Sequence, residues 1–318
     1  MIASSEGEAK NNDPRSMQRV LVGSYLALDV MIYGAHRTGL QPLVIVGSID
    51  YPMPPSAAFC DQMLQAGLQV VFVRRPGFGG TPGLPKAILG EEEIAKGASV
   101  AAEAAILCKL LVNLGLQDIV LMSLGTSTPV CARLAKLYPN VRLLICANPV
   151  FNQNIVQVFK PAWFQSLLGL IIRTKTGVRI AEVALKHQLR SDPLKFYREV
   201  LKNCPGDWAY AEANQADLLD ACQLLLNVTP DTFFYDVRMA LLPDPTLTDD
   251  YFASMNVVAL SGLQTSDLWQ TELDKEAERL SLPVVYAPEG DMLVPYVAPN
   301  TLLATIRAHT VTAAHAQA

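Results

Sequence analysis

The sequence predicts a doubly wound α/β protein, because short apolar runs alternate with helical patterns along most of its 318 residues. The runs are rich in Val, Ile and Leu and lack polar alternation, which is typical of strands buried on both faces. Strands that alternate with helices form a parallel sheet through right-handed crossovers. The helical patterns include PPSAAFCDQMLQAG and EEEIAKGASVAAEAAILCKLLVNLG, and the predicted strands are 42–48, 70–75, 118–124, 141–149 and 282–290.

The composition indicates a globular protein, with 51% hydrophobic and 17% charged residues. The most apolar stretch, WFQSLLGLII, is about half the length that a membrane span requires, so we expect no span. The opening residues MIASSEGEAKNNDPRS lack the basic and apolar regions of a signal peptide. We therefore expect a cytoplasmic protein.

Cysteine, charge and glycine patterns exclude several classes of site. The six cysteines lie in apolar segments without a CxxC pair, which favours reduced core thiols over disulfides or metal ligands. The net charge of -5 comes without a basic stripe, so we expect no nucleic-acid partner. GFGGTPG lacks GxGxxG spacing and reads as a tight turn that needs positive φ. We expect no cofactor and no metal.

The alternation of strands and helices stops after 150 and resumes near 263. The residues between, 151–262, read as one helix after another and predict an inserted cap. Such a cap would cover the carboxyl edge of the sheet, where open α/β sheets bind their ligands. The predicted division is a flexible arm at 1–18, a core of 19–150 and 263–318, and this cap.

Taken in order, these segments resemble the α/β-hydrolase superfamily, in the branch whose helical cap follows the sixth strand. PLVIVGS looks like the strand before the oxyanion loop, and VVFVRRPGFGGTP looks like the next strand with its glycine turn. DIVLMSLGTS is similar to the strand and nucleophile elbow, and LPVVYAPEGDMLVP looks like the strand ending in the catalytic acid. The resemblance implies a mostly parallel sheet and a pocket beneath the cap.

The elbow sequence allows two registers. Active members read GxSxG, with the serine raised above the sheet by a strained turn. In the first register Gly125 takes the nucleophile position, between Ser123 and Ser127, and no nucleophile exists. In the second register Ser127 takes that position within GTSTP. A third interpretation needs no chemistry, because Ser or Thr before Pro is a common helix start, here with Thr128 as N-cap and Pro129 at the first helical position. We favour the first register.

The resemblance implies further site residues. Asp291 would be the acid that orients the histidine, although a strand-end Asp also caps turns. His315 follows a strand-like run and two small residues, as the family's base does, but it could equally be a frayed terminal residue without a closing helix. The oxyanion donors would be the N–H groups of Ile49 and Thr126, or of Thr128 in the second register.

Two functional hypotheses follow. The preferred one is a protein of hydrolase ancestry without the usual serine, which binds a small, largely apolar or acyl-bearing ligand, or a partner, under the cap. The alternative is an active esterase, amidase or carbon-carbon hydrolase that uses Ser127, His315 and Asp291. The apolar cap could also pair two copies of the chain.

Overall fold

The computed structural model describes residues 14–23, 26–49, 53–153, 174–241, 244 and 246–315, with side chains to residue 310. Eight strands of these residues form one sheet in the order β1-β2-β4-β3-β5-β6-β7-β8. Antiparallel pairing joins β1 to β2 and β2 to β4, and all other neighbours are parallel. The strands are β1 (Met17–Val22), β2 (Leu26–Tyr33), β3 (Gln41–Val46), β4 (Leu68–Val73), β5 (Ile119–Leu124), β6 (Val141–Ala147), β7 (Val257–Gly262) and β8 (Val284–Ala287).

Helices pack on both faces of this sheet, so the predicted doubly wound α/β architecture is confirmed. The central strand β5 is buried along its whole length, as its unbroken apolar sequence predicts. The core helices are α1 (Ala57–Gln65), α2 (Glu91–Ala95), α3 (Ala98–Asn113), α4 (Thr128–Leu137), α10 (Asp267–Arg279), α11 (Val294–Val297) and α12 (Pro299–His315).

The sequence analysis missed the first two strands. β1 begins at Met17, inside the range predicted as a flexible arm, and residues 1–13 lie outside the described part of the chain. β1 is an edge strand with exposed positions such as Leu21, which is 67% exposed. An edge strand that is half in water carries a weaker apolar signal than a buried central strand, which explains why β1 was missed. This reason does not apply to β2, which is mostly buried between β1 and β4.

Five described helices form the cap between β6 and β7, which confirms an insertion after the sixth strand. The predicted end of the cap at 262 is wrong, because Val257–Gly262 is the buried strand β7. A six-residue apolar run cannot be told from a helical segment by periodicity alone. WFQSLLGLII lies outside the described residues, and no described helix is long and apolar enough to cross a membrane. The cap helices are α5 (Lys175–Ser191), α6 (Pro193–Val200), α7 (Pro205–Ala213), α8 (Gln215–Asn227) and α9 (Pro230–Leu241).

The glycine turn after β4 lets the cap approach the core. Gly77 has a φ of +90°, so the expected positive-φ turn is present. A Cβ added at Gly77 would lie 2.5 Å from Thr232 Oγ1, which belongs to the first turn of α9. Only glycine therefore allows α9 to pack this closely on the turn.

A buried ion network joins α9 to the same region. Arg75, which follows β4 and is 1% exposed, donates from Nε and Nη2 to the carboxylate of Glu103 in α3 at 2.6 and 3.0 Å. Its Nη2 also lies 2.9 Å from Asp236 Oδ1 in α9, and Tyr235 OH donates to Glu103. Burial opposes the positive charge, but Asp236 and Glu103 outweigh it and raise the pKa of Arg75 well above its usual value.

The Arg75→Leu variant should lose about 3–5 kcal/mol of unfolding free energy, because it leaves two carboxylates buried without a cation. Urea unfolding measures this loss. Arg142→Leu is the matched control, since the Arg142–Asp118 pair is 45% and 62% exposed. Its loss should stay below about 1 kcal/mol. Equal losses in the two variants would contradict a structural role for the buried network.

Candidate active site

The turn that follows β5 lies at the carboxyl edge of the sheet. β5 ends at Leu124, Gly125 has a φ of +46°, and a single 3-10 turn over Gly125–Ser127 leads into α4. A left-handed backbone immediately after a strand favours glycine. The chain thus makes a sharp strand–turn–helix junction at which Gly125 presents no side chain.

Ser127 lies at the end of this turn and is fully buried. Its Oγ accepts the N–H of Leu124 at 2.9 Å and lies 3.0 Å from the carbonyl oxygen of Val46 in β3, to which it can donate. The hydroxyl therefore satisfies backbone groups where β3 and β5 end. α4 begins at Thr128 and has Pro129 in its first turn, so a helix does start here, but its N-cap residue is Ser127 and not the expected Thr128.

The loops after β7 and β8 meet beside each other. Thr265, three residues after the end of β7, donates from Oγ1 to Asp291 Oδ1 at 2.9 Å. Asp291 follows β8 by four residues. Burial raises the pKa of Asp291 to about 6; the hydrogen bond from Thr265 opposes this shift and the nearby Asp207 carboxyl adds to it.

The first turn of cap helix α7 holds both loops. The buried carboxylate of Asp207 accepts the N–H of Asp291 at 3.2 Å and that of Leu293 at 3.1 Å. Gln264 Oε1 accepts the N–H of Gly290 at 3.1 Å and the thiol of Cys204 at 3.0 Å. Sequence reasoning missed Asp207, because an acid near a helix start normally reads as a favourable partner for the helix dipole.

The elbow also contacts the cap. Thr126 donates from Oγ1 to Asp236 Oδ2 at 3.3 Å, which connects the turn to the Arg75 network. Burial raises the pKa of Asp236 to about 6, although Arg75 opposes the shift. Ile49 lies in the loop after β3, the strand that pairs with β5. The two predicted oxyanion residues, Ile49 and Thr126, therefore belong to adjacent loops.

A small apolar cavity lies between the cap and the core. Its volume is about 10 Å³, the space that about one water molecule occupies. Among the described residues, His, Cys, Asp and Glu form no group of three or more that could hold a metal ion. The cavity is lined by Met53, Tyr197, Leu201, Ala211, Leu218, Met292 and Leu293.

Comparison with solved structures identifies the fold. The chain is similar to a putative epoxide hydrolase from Klebsiella pneumoniae, with a TM-score of 0.62, 15% identity, and coverage of 94% of this chain and 99% of that one. A bromoperoxidase from Bacillus anthracis matches with a TM-score of 0.60, 14% identity, and coverage of 92% and 99%. An esterase from Thermogutta terrifontis matches with a TM-score of 0.57, 19% identity, and coverage of 92% and 97%. The chain has the α/β-hydrolase fold.

These likenesses are structural, since no family model matches the sequence. The search of curated proteins likewise finds no match. The structural similarity establishes the fold. Sequence identities of 14–19% are too low to assign an activity to this chain.

The α/β-hydrolase fold carries its catalytic groups in a fixed chain order: nucleophile, acid, histidine. The sequence predicted one strand after the cap, the apolar run that precedes Asp291. The structure has two strands there, β7 and β8. The loop of Thr265 follows β7, and the loop of Asp291 follows β8.

His315 does not follow a strand. Residues Pro299–His315 form the single helix α12, so the predicted strand-like run before His315 and the predicted lack of a closing helix are both wrong. The buried residues Leu302 and Ile306 anchor this helix to the core, which overrides the strand preference of the TVT sequence. The side chain of His315 lies outside the described part of the molecule.

The raised pKa of Asp291 predicts a pH dependence of stability. An unfolded Asp has a pKa of about 3.9, so between there and about pH 6 the folded state binds more protons and unfolding free energy falls as pH rises. Asp291→Asn should reduce this fall, measured by urea unfolding at about pH 4.5 and about pH 7. Glu289→Gln, which changes an exposed acid two residues earlier, should leave the fall unchanged. An unaltered pH dependence in Asp291→Asn would contradict the shift.

Proposed function

We propose that this protein has an α/β-hydrolase fold without serine hydrolase chemistry, and that it binds a small, largely apolar ligand beneath its cap. The observation that carries the proposal is Gly125 at the strand–turn–helix junction after β5. In this fold the nucleophile is the side chain raised by that junction. A glycine offers no nucleophile.

The two loops that would complete a triad support the same conclusion. In the chain order nucleophile, acid, histidine, the loop of Thr265 would take the acid position and the loop of Asp291 the histidine position. Asp291 accepts a hydrogen bond from Thr265 where a histidine would accept one proton and donate another. Histidine connects a nucleophile to an acid through its two ring nitrogens, and a carboxyl has no such pair of nitrogens. The chain therefore offers neither the histidine nor the acid of a triad at these two positions.

Ser127 supports the proposal because its hydroxyl is already hydrogen-bonded to backbone groups. It is fully buried, and its Oγ lies within hydrogen-bond distance of three backbone atoms, the Leu124 N–H and the carbonyl oxygens of Leu124 and Val46. A nucleophile must instead reach a base and a substrate carbonyl. The hydroxyl of Ser127 instead hydrogen-bonds the backbone where β3 and β5 end.

The lining of the cap–core cavity indicates the ligand chemistry. The cavity is apolar and has room for about one water molecule, but two of its walls are Met53 and Met292. Methionine side chains are unbranched and readily change conformation, so they can yield to a small apolar group. The backbone N–H groups of Ile49 and Thr126, in the loops after β3 and β5, are the donors that we propose for the carbonyl oxygen of an acyl-bearing ligand.

Methionine-methyl NMR with 1-hexanol as the probe tests this binding. The methyl signals of Met53 and Met292 should shift as the alcohol is added, because both line the cavity. The signal of Met122, which is buried within β5, should not shift. An absence of shifts at Met53 and Met292 up to the solubility limit of hexanol would contradict a small apolar ligand at this cavity.

A fluorophosphonate, which reacts with activated serines, tests the absence of serine chemistry. The wild-type protein and Ser127→Ala should both show no adduct by mass spectrometry, while a known serine hydrolase in the same buffer is labelled. An adduct on Ser127 would overturn the proposal and favour the active hydrolase alternative.

Introducing Ser, Asp and His at positions 125, 265 and 291 provides the positive control. Gly125→Ser alone should react slowly, because no base lies beside it. The triple variant G125S/T265D/D291H should react at residue 125 about 10²–10⁴-fold faster, the usual contribution of a positioned base. Circular dichroism checks that both variants fold. Equal rates in folded single and triple variants would show that positions 265 and 291 do not serve position 125.

A further inference from the structure

We propose that the cap closes on the core with the uptake of one proton by the buried carboxyl of Asp236, so that acid holds cap helix α9 against the core and rising pH loosens it. This carboxyl joins α9 to Arg75 and to Thr126, the residue after Gly125. Its charge therefore bears on the contact between the cap and the candidate site. The proposal stands apart from the ligand-binding function, since it involves only groups of the chain itself.

Two carboxylates face one cation in this network. Glu103 Oε1 lies 2.6 Å from Arg75 Nε, and Asp236 Oδ1 lies 2.9 Å from Arg75 Nη2. All three side chains are at most 1% exposed. Two negative charges and one positive charge would leave one negative charge buried without a partner. Such a charge is costly and is normally neutralised, so the closed cap favours a proton on one of the two carboxyls.

The elements packed around Asp236 bring one cation to it among the described residues. Asp236 faces Arg75 from the segment after β4, Glu103 from α3 and the hydroxyl of Thr126 from the turn after β5. Arg238 lies two residues further along α9, and residues two apart on a helix do not face each other. Arg75 alone therefore has to balance both carboxylates.

Two further titratable groups beside the network stay neutral. Tyr235 on α9 donates to Glu103, and Cys131 on α4 interacts electrostatically with Arg75 and Glu103. Burial raises the pKa of the Tyr235 phenol and the pKa of the Cys131 thiol well above their usual values. Neither group therefore changes charge between about pH 4 and about pH 8, which leaves the two carboxyls as the groups that can.

The hydrogen bonds favour the proton on Asp236. Glu103 accepts from Nε and Nη2 of Arg75 and from the phenol of Tyr235, and three donors stabilise the ionised form of a carboxyl. Asp236 has one guanidinium nitrogen at 2.9 Å and the hydroxyl of Thr126 at 3.3 Å. Burial raises the pKa of Asp236 to about 6, although Arg75 opposes this shift.

The proton links cap opening to pH with a definite sign. When α9 leaves the core, Asp236 enters water, where an Asp carboxyl has a pKa of about 3.9. Between there and about pH 6 the closed cap carries the proton and the open cap does not, so opening releases it. The equilibrium constant for opening therefore rises with pH in this range. It levels off above about pH 7, because both states are then ionised.

Hydrogen exchange from about pH 4 to about pH 8 tests the proposal. The protection of the α9 amides, corrected for the intrinsic exchange rate at each pH, should fall up to about tenfold per pH unit between about pH 4 and about pH 6, and then become level. Amides of the buried strand β5 should stay better protected at every pH, because they exchange only when the whole chain unfolds.

Two variants separate the proton from the contact. Asp236→Asn keeps an oxygen for Arg75 but has no carboxyl proton to release. Glu103→Gln leaves one carboxylate for one cation, so Asp236 no longer needs the proton. Both variants should lose most of the fall in α9 protection. Asp231→Asn is the matched control and should keep the fall, since Asp231 lies on the same helix in an ion pair with Lys175 whose side chains are 26% and 60% exposed. Circular dichroism checks that each variant folds.

The carboxyl ¹³C signal of Asp236 gives a second measurement that needs no variant. In the wild-type protein its titration midpoint should lie at about pH 6. A midpoint at about pH 4, the value for an Asp in water, would overturn the proposal. So would α9 protection that does not change with pH, or that falls equally in wild type and Asp236→Asn. Equal protection of α9 and β5 at every pH would also overturn it, because α9 would then leave the core only on global unfolding.

Discussion

The buried ion pair between Arg75 and Glu103, with Asp236 as a second acceptor, is the interaction on which the relation of cap and core depends. Each of these charges would be costly to bury alone, so the three side chains must stay together. Because Asp236 belongs to α9 and Arg75 follows β4, their contact fixes a cap helix above the glycine turn. The close approach at Gly77 is available only because that position has no Cβ.

The cap contacts the candidate site at two places. From α9, Asp236 accepts a hydrogen bond from Thr126, the residue after Gly125. From α7, Asp207 binds the backbone of the loop that carries Asp291. The elbow and the two loops are thus held by the cap itself, with buried hydrogen bonds that would need to break before the cap could open.

The sequence predicted parts of this site and misplaced others, for identifiable reasons. Gly125 and Thr126 were found because they follow an apolar run that is buried along its whole length, and Asp291 was found because it follows the apolar run of the half-buried edge strand β8. β7 was not predicted from the sequence, so the prediction has one strand after the cap where the structure has two. Asp207 and Asp236 could not be found, since each lies in an ordinary amphipathic cap helix and gains its contact only when that helix packs.

The sequence by itself determined the layered α/β architecture, a helical insertion after the strand that ends near residue 149, and the glycine that follows β5. These follow from local apolar periodicity and from residue types, which a chain carries before it folds. Tertiary structure alone decided that Thr265 meets Asp291, that Ser127 serves backbone groups, and that the C-terminal TVT segment is helical. Each of these depends on contacts between residues distant in sequence or on burial against the core, and local patterns contain no information about such contacts.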